Sequence, residues 1–367
     1  MKLGVLSSSR ADYGIYTPLL MKISNDPFFD LSVICFGSHL SEAFGYTVEA
    51  VRTDVFGTLH TVDALPTGDT PKDISKCLGD TVLRFASFWE KNHFDLVIAL
   101  GDRFEMFAAI ASLVAFNIPV AHIHGGEMTE GAIDDAFRHS ITHMSKYHFA
   151  STQKYADRIK ELKGNTNYIY NTGALSFDNL KQLNYYTIDQ FYDKYKVDLG
   201  KPTILITFHP ETVGYQKNEL YASELVLALS GIEGYQLLIT MPNADTMGSV
   251  IRHKLNDFVQ KNENAFAFES LGMHGYLSAM KHCSFLLGNS SSGCIEASFF
   301  PKWVINLGER QRGRVITPNV ISCAINSKEI LSAVSSVSAK NIPDIIEVFG
   351  NGNAAQNIVN ILKNIHG

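Results

Sequence analysis

Cysteine is scarce. Five residues (Cys35, Cys77, Cys283, Cys294 and Cys323) are scattered through 367 positions. An odd, dispersed set with no CxxC pair builds no disulfide framework, so free thiols in a reducing cytosol are expected. Long apolar runs are missing too. None approaches the roughly 20 residues that span a bilayer. A strand-like run begins at Lys2, leaving no room for a signal peptide, so a cytoplasmic protein without a membrane partner is expected. Blocks of lysine or arginine are absent and the net charge is −6, which argues against a nucleic-acid surface. Local clusters such as Arg310, Arg312 and Arg314 still suffice for one phosphate group. There is no GxGxxG, no HExxH, no short repeat, no heptad array and no low-complexity tract.

What remains is a chain with 46% hydrophobic and 19% charged residues, the balance of a compact fold long enough for two domains. Short apolar runs alternate with amphipathic stretches. Candidate strands lie at 2–8, 31–37, 95–100, 119–123, 147–151 and 167–173, and an amphipathic helix at 69–89. The alternation pauses over a polar, tyrosine-rich linker at 178–200. It restarts with strands at 203–208, 236–241, 265–269, 284–287 and 303–307. Such alternation implies parallel sheets covered by helices. The expected architecture is α/β, with two Rossmann-like domains. Residues 1–175 form the first, joined by a C-terminal helix at 353–367, and residues 176–350 form the second.

Chemistry concentrates where strands end. The run 95–100 ends in Gly101-Asp102-Arg103, and 119–123 ends in His124-Gly125-Gly126-Glu127, followed by Asp134, Asp135, Arg138 and His139. Ligands of open α/β sheets bind beyond the carboxyl ends of the strands. Asp102 reads either as a helix cap or as a carboxylate able to move a proton. His122 and His124 alternate along a strand and would face one side. With Glu127, Asp134, His139 and His143 they could surround a metal, although no ligand spacing supports one. A purely structural histidine explains His122 or His143 equally well. Carboxylates meeting beside Asp102 would push their pKa values apart and separate an acid from a base.

Ser7-Ser8-Ser9-Arg10 precedes a helix start and suits an anion, with Arg10 as a fork; a solvated arginine beside a helix cap is the plainer reading. In the second half, His209 ends a strand as a phosphate donor or acid. Asn243 follows the next strand. Ser290 and Ser291 open a helix start suited to a diphosphate, and Glu296, in the first turns of that helix, could accept two ribose hydroxyls. Arg310 and its neighbours follow a later strand. Diphosphate donors in one half and proton-transfer groups in the other suggest a nucleotide sugar.

In this order the motifs SRADYG (9–14), GDRFE (101–105), HIHGGEMTEGAIDDAFRHSIT (122–142), FHPET (208–212), PNAD (242–245), GNSSSGCIE (288–296) and INLGERQRGR (305–314) resemble the UDP-N-acetylglucosamine 2-epimerase family, nearest its hydrolysing branch. The resemblance implies two Rossmann-like domains facing across a cleft, as in one glycosyltransferase class. It implies a reaction with no NAD and no obligatory metal. UDP leaves C1 as a proton leaves C2, and water adds to the resulting glycal with inversion at C2. The released 2-epimeric sugar feeds sialic-type sugars, and a homodimer or homotetramer is implied as well.

Carried over by position, Asp102 and Asp134 resemble the family's acid/base residues. Arg10, His209, Asn243, Ser290, Ser291, Glu296 and Arg310 resemble its UDP contacts, and Arg103 is assigned to the same group. One position departs. Many hydrolysing members read HIEGGE where this chain reads HIHGGE, so the family's glutamate falls on His124. Either His124 takes over the proton transfer, as a near-neutral imidazole can, or Glu127 moves in. The change leaves two substrates open: UDP-N-acetylglucosamine and UDP-2,4-diacetamido-2,4,6-trideoxyglucose, of the legionaminic acid route. Three other readings remain: a glycosyltransferase of the same fold, a non-hydrolysing epimerase, and a non-catalytic nucleotide-sugar sensor.

Overall fold

The computed structural model describes residues 1–65, 68–242, 248–300, 302–341 and 348–366. The chain divides into two compact units. One comprises Met1–Glu127, Asp134–Gln182 and Phe349–Gly367; the other comprises Met128–Ile133 and Leu183–Val348. These limits differ from the sequence expectation in three places, the return to the first unit at Phe349 rather than 353 being the smallest. The first unit runs on to Gln182, and six residues that follow Glu127 belong to the second.

The first unit holds β1 (Lys2–Ser7), β2 (Asp30–Phe36), β3 (Thr58–Val62), β4 (Leu96–Leu100), β5 (Val120–Ile123), β6 (Tyr147–Ala150) and β7 (Ile169–Asn171), in the order β3-β2-β1-β4-β5-β6-β7. Every pairing is parallel. Strands buried on both faces have no solvent side to alternate with, so β1 and β4 read as nearly unbroken apolar runs. Helices Arg10–Ser24 and Ala354–His366 cover one face, where Leu19, Leu20 and Ile23 share a core with Ile358, Val359 and Leu362. On the other face Phe85 and Trp89, from helix Pro71–Lys91, pack with Met106 and Ile110. The C-terminal helix is capped by Asp178, whose carboxylate accepts the Ala354 and Ala355 N–H groups at 2.8 and 3.0 Å.

The second unit holds β8 (Thr203–Thr207), β9 (Gln236–Thr240), β10 (Ala265–Phe268), β11 (Phe285–Gly288), β12 (Trp303–Leu307) and β13 (Val320–Cys323), in the order β10-β9-β8-β11-β12-β13 and again parallel. Its core includes Ile204, Ile206, Leu237, Ile239, Leu287 and Ile305. Strand order reverses direction between β1 and β4 in one sheet and between β8 and β11 in the other, the places where open sheets leave room for ligands.

The sequence reading missed β3 and β13, both of them edge strands. The linker at 178–200 contains two short helices, Ser176–Gln182 and Ile188–Tyr195, the latter started by a capping box between Thr187 and Gln190. The stretch read as helix after Gly293 is a single turn, Ser291–Cys294, followed by a 3₁₀ turn, Glu296–Ser298. Glu296 therefore does not sit in the first turns of a regular helix.

Candidate active site

In the first unit the turn after β4 carries Gly101 at φ 74°, then Asp102. The cap position of helix Phe104–Leu113 falls to Arg103, with no side-chain cap bond. This removes the plain capping reading of Asp102. Its carboxylate instead accepts from Arg138 Nη2. Arg138 lies one turn past Asp134 on helix Asp134–Met144, on the same helical face. Its other terminal nitrogen stands 3.6 Å from Glu127 Oε2. The Arg138 side chain is only 3% exposed and that of Asp102 is 21% exposed, so Asp102 keeps an open side.

His124 follows the end of β5 with φ 63°, a left-handed conformation that a non-glycine residue adopts at a cost. Its Nδ1 stands 2.7 Å from Glu127 Oε1, which also accepts the Ser151 hydroxyl at 2.8 Å. The carboxylate fixes the tautomer. Nδ1–H donates to that carboxylate, which leaves Nε2 as the nitrogen not tied to Glu127. That Nε2 has no hydrogen-bond partner among the described residues. This is the arrangement of a base oriented by a carboxylate.

His122 and His124 are not two positions of one continuous strand, because the strand ends at Ile123 and the backbone turns left-handed at His124. The His122 Nε2–H donates to the Gly101 carbonyl at 2.8 Å, and Nδ1 lies 3.1 Å from the Thr142 hydroxyl. Burial holds its pKa down to about 4, so it is neutral and braces the turn before Asp102. Among the described residues no three His, Cys, Asp or Glu side chains are grouped to hold a metal ion.

Arg10 is the first residue of its helix and half-buried, after Ser9, the N-cap. Behind it, Asp12 is buried and accepts from the Ser8 amide at 2.9 Å and hydroxyl at 2.6 Å; burial raises its pKa. Arg103, assigned from sequence to UDP, directs its Nε and Nη2 to buried Glu105 at 3.2 and 3.0 Å. Asp134 opens its helix, half-buried.

In the second unit one asparagine organises the strand ends. Asn289, fully buried, accepts the His209 amide at 2.7 Å and donates to the His209 carbonyl at 2.9 Å. Its own carbonyl accepts from Arg310 Nη1 at 3.1 Å and Gln311 Nε2 at 2.7 Å. His209 and Arg310 are thereby tied to the residue preceding Ser290. Gly288 is obligatory here, because a Cβ would lie 2.0 Å from the Thr207 carbonyl oxygen. Ser290 caps the short helix, and its hydroxyl is 3.0 Å from that of Ser292, which in turn meets the Tyr276 hydroxyl at 2.6 Å. Ser291 and Glu296 are half-buried. Asn243 lies outside the described residues.

Sequence reasoning named Arg138 at this sheet edge without giving it a partner, and passed over two further organisers. Asn289 was detectable as the one amide within the GNSSSG run. Ser151 carried no signal, because only the β5–β6 pairing brings it to Glu127.

Each unit is thus a parallel α/β sheet with polar groups gathered beyond its strand ends, the architecture of nucleotide-using α/β enzymes. The family model described as UDP-N-acetylglucosamine 2-epimerase matches residues 21–363, and the chain belongs to that family. Among curated relatives, the GDP/UDP-N,N'-diacetylbacillosamine 2-epimerase (hydrolyzing) of Campylobacter jejuni is 34% identical over 89% of this chain and 85% of its own. Polysialic acid biosynthesis protein P7 of Escherichia coli is 31% identical over 99% of this chain and 93% of its own. The crystal structure of UDP-GlcNAc 2-epimerase from Neisseria meningitidis bound to UDP-GlcNAc has the same fold, with a TM-score of 0.83 at 17% identity over 99% of this chain and 100% of that one.

Proposed function

We propose that this protein is a hydrolysing UDP-sugar 2-epimerase whose substrate is UDP-2,4-diacetamido-2,4,6-trideoxyglucose, that is, UDP-N,N'-diacetylbacillosamine. The observation that carries the reaction class is the set Asp102, Arg138, Glu127 and His124, in which one buried guanidinium faces two carboxylates and an oriented imidazole nitrogen stays open. His124 stands where many hydrolysing members carry glutamate, and in this reading it moves the proton while Glu127 orients it. Asp102 and Asp134 supply the remaining acid/base steps. His209, Ser290, Ser291 and Arg310 hold the diphosphate, Glu296 the ribose, and Arg10 the phosphate side; Arg103 acts beside them through its link to Glu105. The choice of sugar follows the relatives named for diacetylbacillosamine, 34% and 29% identical, over the Neisseria meningitidis UDP-N-acetylglucosamine 2-epimerase at 26%.

The reaction consumes one water. The C2 proton goes to the enzyme base as the C1–O bond to UDP breaks, leaving a 2-acetamidoglycal. Water then gives its hydroxyl to C1, and a proton returns to the opposite face of C2. The product is a free 2-epimeric sugar of the kind used for sialic- and legionaminic-type acids. Its setting in this reading is the cytoplasm, in keeping with five free thiols. A homo-oligomer accords with exposed Leu83, Val114 and Phe116 on the first unit.

The test is NMR in D2O with each UDP-sugar separately. Free 2-epimerised sugar carrying deuterium at C2, with UDP, is expected from the diacetamido substrate. The same products from UDP-N-acetylglucosamine alone would change the substrate and keep the reaction. UDP with an unepimerised sugar would end the elimination mechanism.

A further inference from the structure

Glu127 and Asp134 both belong to the first unit, but the six residues between them, Met128–Ile133, pack with the second. Their contacts there are specific. The Ile133 amide donates to the buried Thr212 hydroxyl at 2.9 Å. The Glu130 amide donates to the Arg312 carbonyl at 3.0 Å, and the segment closes on itself through Ala132 N–H to the Thr129 carbonyl at 2.8 Å. Gly131 lies so close to the 309–310 backbone that a Cβ would stand 2.2 Å from the Glu309 carbonyl oxygen and 2.6 Å from Arg310 Cα. Gly313, at φ 89°, meets Met128 in the same way, with a Cβ position 2.8 Å from the Met128 Cβ. The Arg312–Glu130 ion pair is largely exposed and adds little.

The backbone that Gly131 touches is also the turn that carries Arg310 and is pinned by Glu211, whose Oε1 accepts the Glu309 amide at 2.9 Å. Through Arg310 and Gln311 the same turn reaches Asn289, and through Asn289 it reaches His209 and Ser290. Hydrogen bonds and one close glycine contact therefore hold the segment on the groups assigned to the diphosphate. A six-residue span has little slack, so displacement of its middle moves its ends.

We infer that Met128–Ile133 is a strap that sets the acid/base groups at its two ends, and that Gly131 and Thr212 are positioning residues for the reaction. The inference rests on the epimerase reading above. Diphosphate bound at the 309–314 turn stabilises the strap, and the strap holds Glu127, with His124, and Asp134 in their working positions. Misplacement of such groups by about 1 Å costs on the order of a hundredfold in rate, which is the lever involved.

The experiment uses the full chain and the variants Thr212→Val, Thr212→Ser and Gly131→Ala, each first checked for a native unfolding midpoint. Thr212→Val should lower kcat about tenfold or more while the UDP Kd changes less than about threefold, and Gly131→Ala, which presses on the backbone that carries Arg310, should lower kcat at least as much. Thr212→Ser, which keeps the acceptor, should recover most of the rate. Amide hydrogen exchange supplies a readout independent of turnover: UDP binding should slow exchange across 127–138 in the wild type and much less in Thr212→Val. Unchanged kcat in folded variants overturns the inference. So does a loss of UDP affinity in proportion to rate in Thr212→Val, or a serine variant as impaired as the valine. UDP binding that leaves exchange across 127–138 untouched overturns it even for a protein that turns over neither sugar. The latter result would by itself count against the epimerase reading instead.

Discussion

Arg138 holds Asp102 through one terminal nitrogen and stands 3.6 Å from Glu127 with the other, so two carboxylates that sequence places 25 positions apart share a single buried cation. Asp102→Asn keeps the shape and removes the charge. It should lower turnover by about 10²- to 10⁴-fold, the usual span for a lost acid or base, with UDP binding retained. Arg138→Met should cost about 3 kcal/mol of stability as well, because it removes a buried cation that faces both Asp102 and Glu127. Steady-state kinetics, UDP calorimetry and urea unfolding check all three statements. A fully active Asp102→Asn removes Asp102 from the mechanism.

His124 joins function to strain. Glycine adopts φ 63° freely, so His124→Gly should relieve backbone strain of about 1 kcal/mol and offset much of the lost contact with Glu127. Stability should change by less than about 1 kcal/mol while kcat falls about a hundredfold or more. Thermal unfolding and turnover measured on the same preparation decide it. Near-normal turnover would pass the proton-transfer role to Glu127.

Asn289→Ala cuts the bridge between the two sides of the nucleotide half-site. It leaves the His209 amide without its partner, a cost of about 1–3 kcal/mol for a buried group. UDP affinity should weaken about tenfold or more, since His209 loses its side-chain anchor while the main-chain carbonyl that holds Arg310 stays. Calorimetry with UDP gives the answer; unchanged affinity would mean that UDP binding does not depend on the His209 anchor.

Acid should weaken the fold through neutral, buried histidines. Burial, the chief cause in each, lowers His39 and His122 to about 4 and His148 to about 3, all below the ordinary 6.5. The folded forms are therefore neutral, and their contribution is complete above pH 6.5. As pH falls below 6.5 the unfolded chain takes up protons that the folded chain refuses. Stability then declines by up to about 1.4 kcal/mol per pH unit per histidine until the folded pKa is reached. Among the described residues neither ring nitrogen of His148 has a hydrogen-bond partner, so His148→Leu removes one share of this slope without breaking a described bond. Urea melts at pH 7, 5.5 and 4.5 should show a shallower decline in the variant than in the wild type. Equal slopes would mean that His148 does not contribute.

The sequence by itself determined the alternation of strands and helices and the positions where strands end, because strands buried on both faces must be continuously apolar and their ends must turn polar. It also determined that Asp102, His124, Glu127, His209, Ser290 and Arg310 fall at such ends, which is a matter of position along the chain. Tertiary structure alone decided what each of these side chains meets. The His122–His124 alternation read as a shared face until the backbone turned left-handed at His124. Asp102 read equally as a helix cap until Arg138 claimed its carboxylate. The edge strands β3 and β13 escaped notice as short runs without full burial to mark them. Ser151 reaches Glu127 through strand pairing, and Met128–Ile133 leaves the unit of its neighbours because glycine permits a close backbone approach. Such relationships are made by register and contact between segments far apart in the chain. Local propensity carries no record of them.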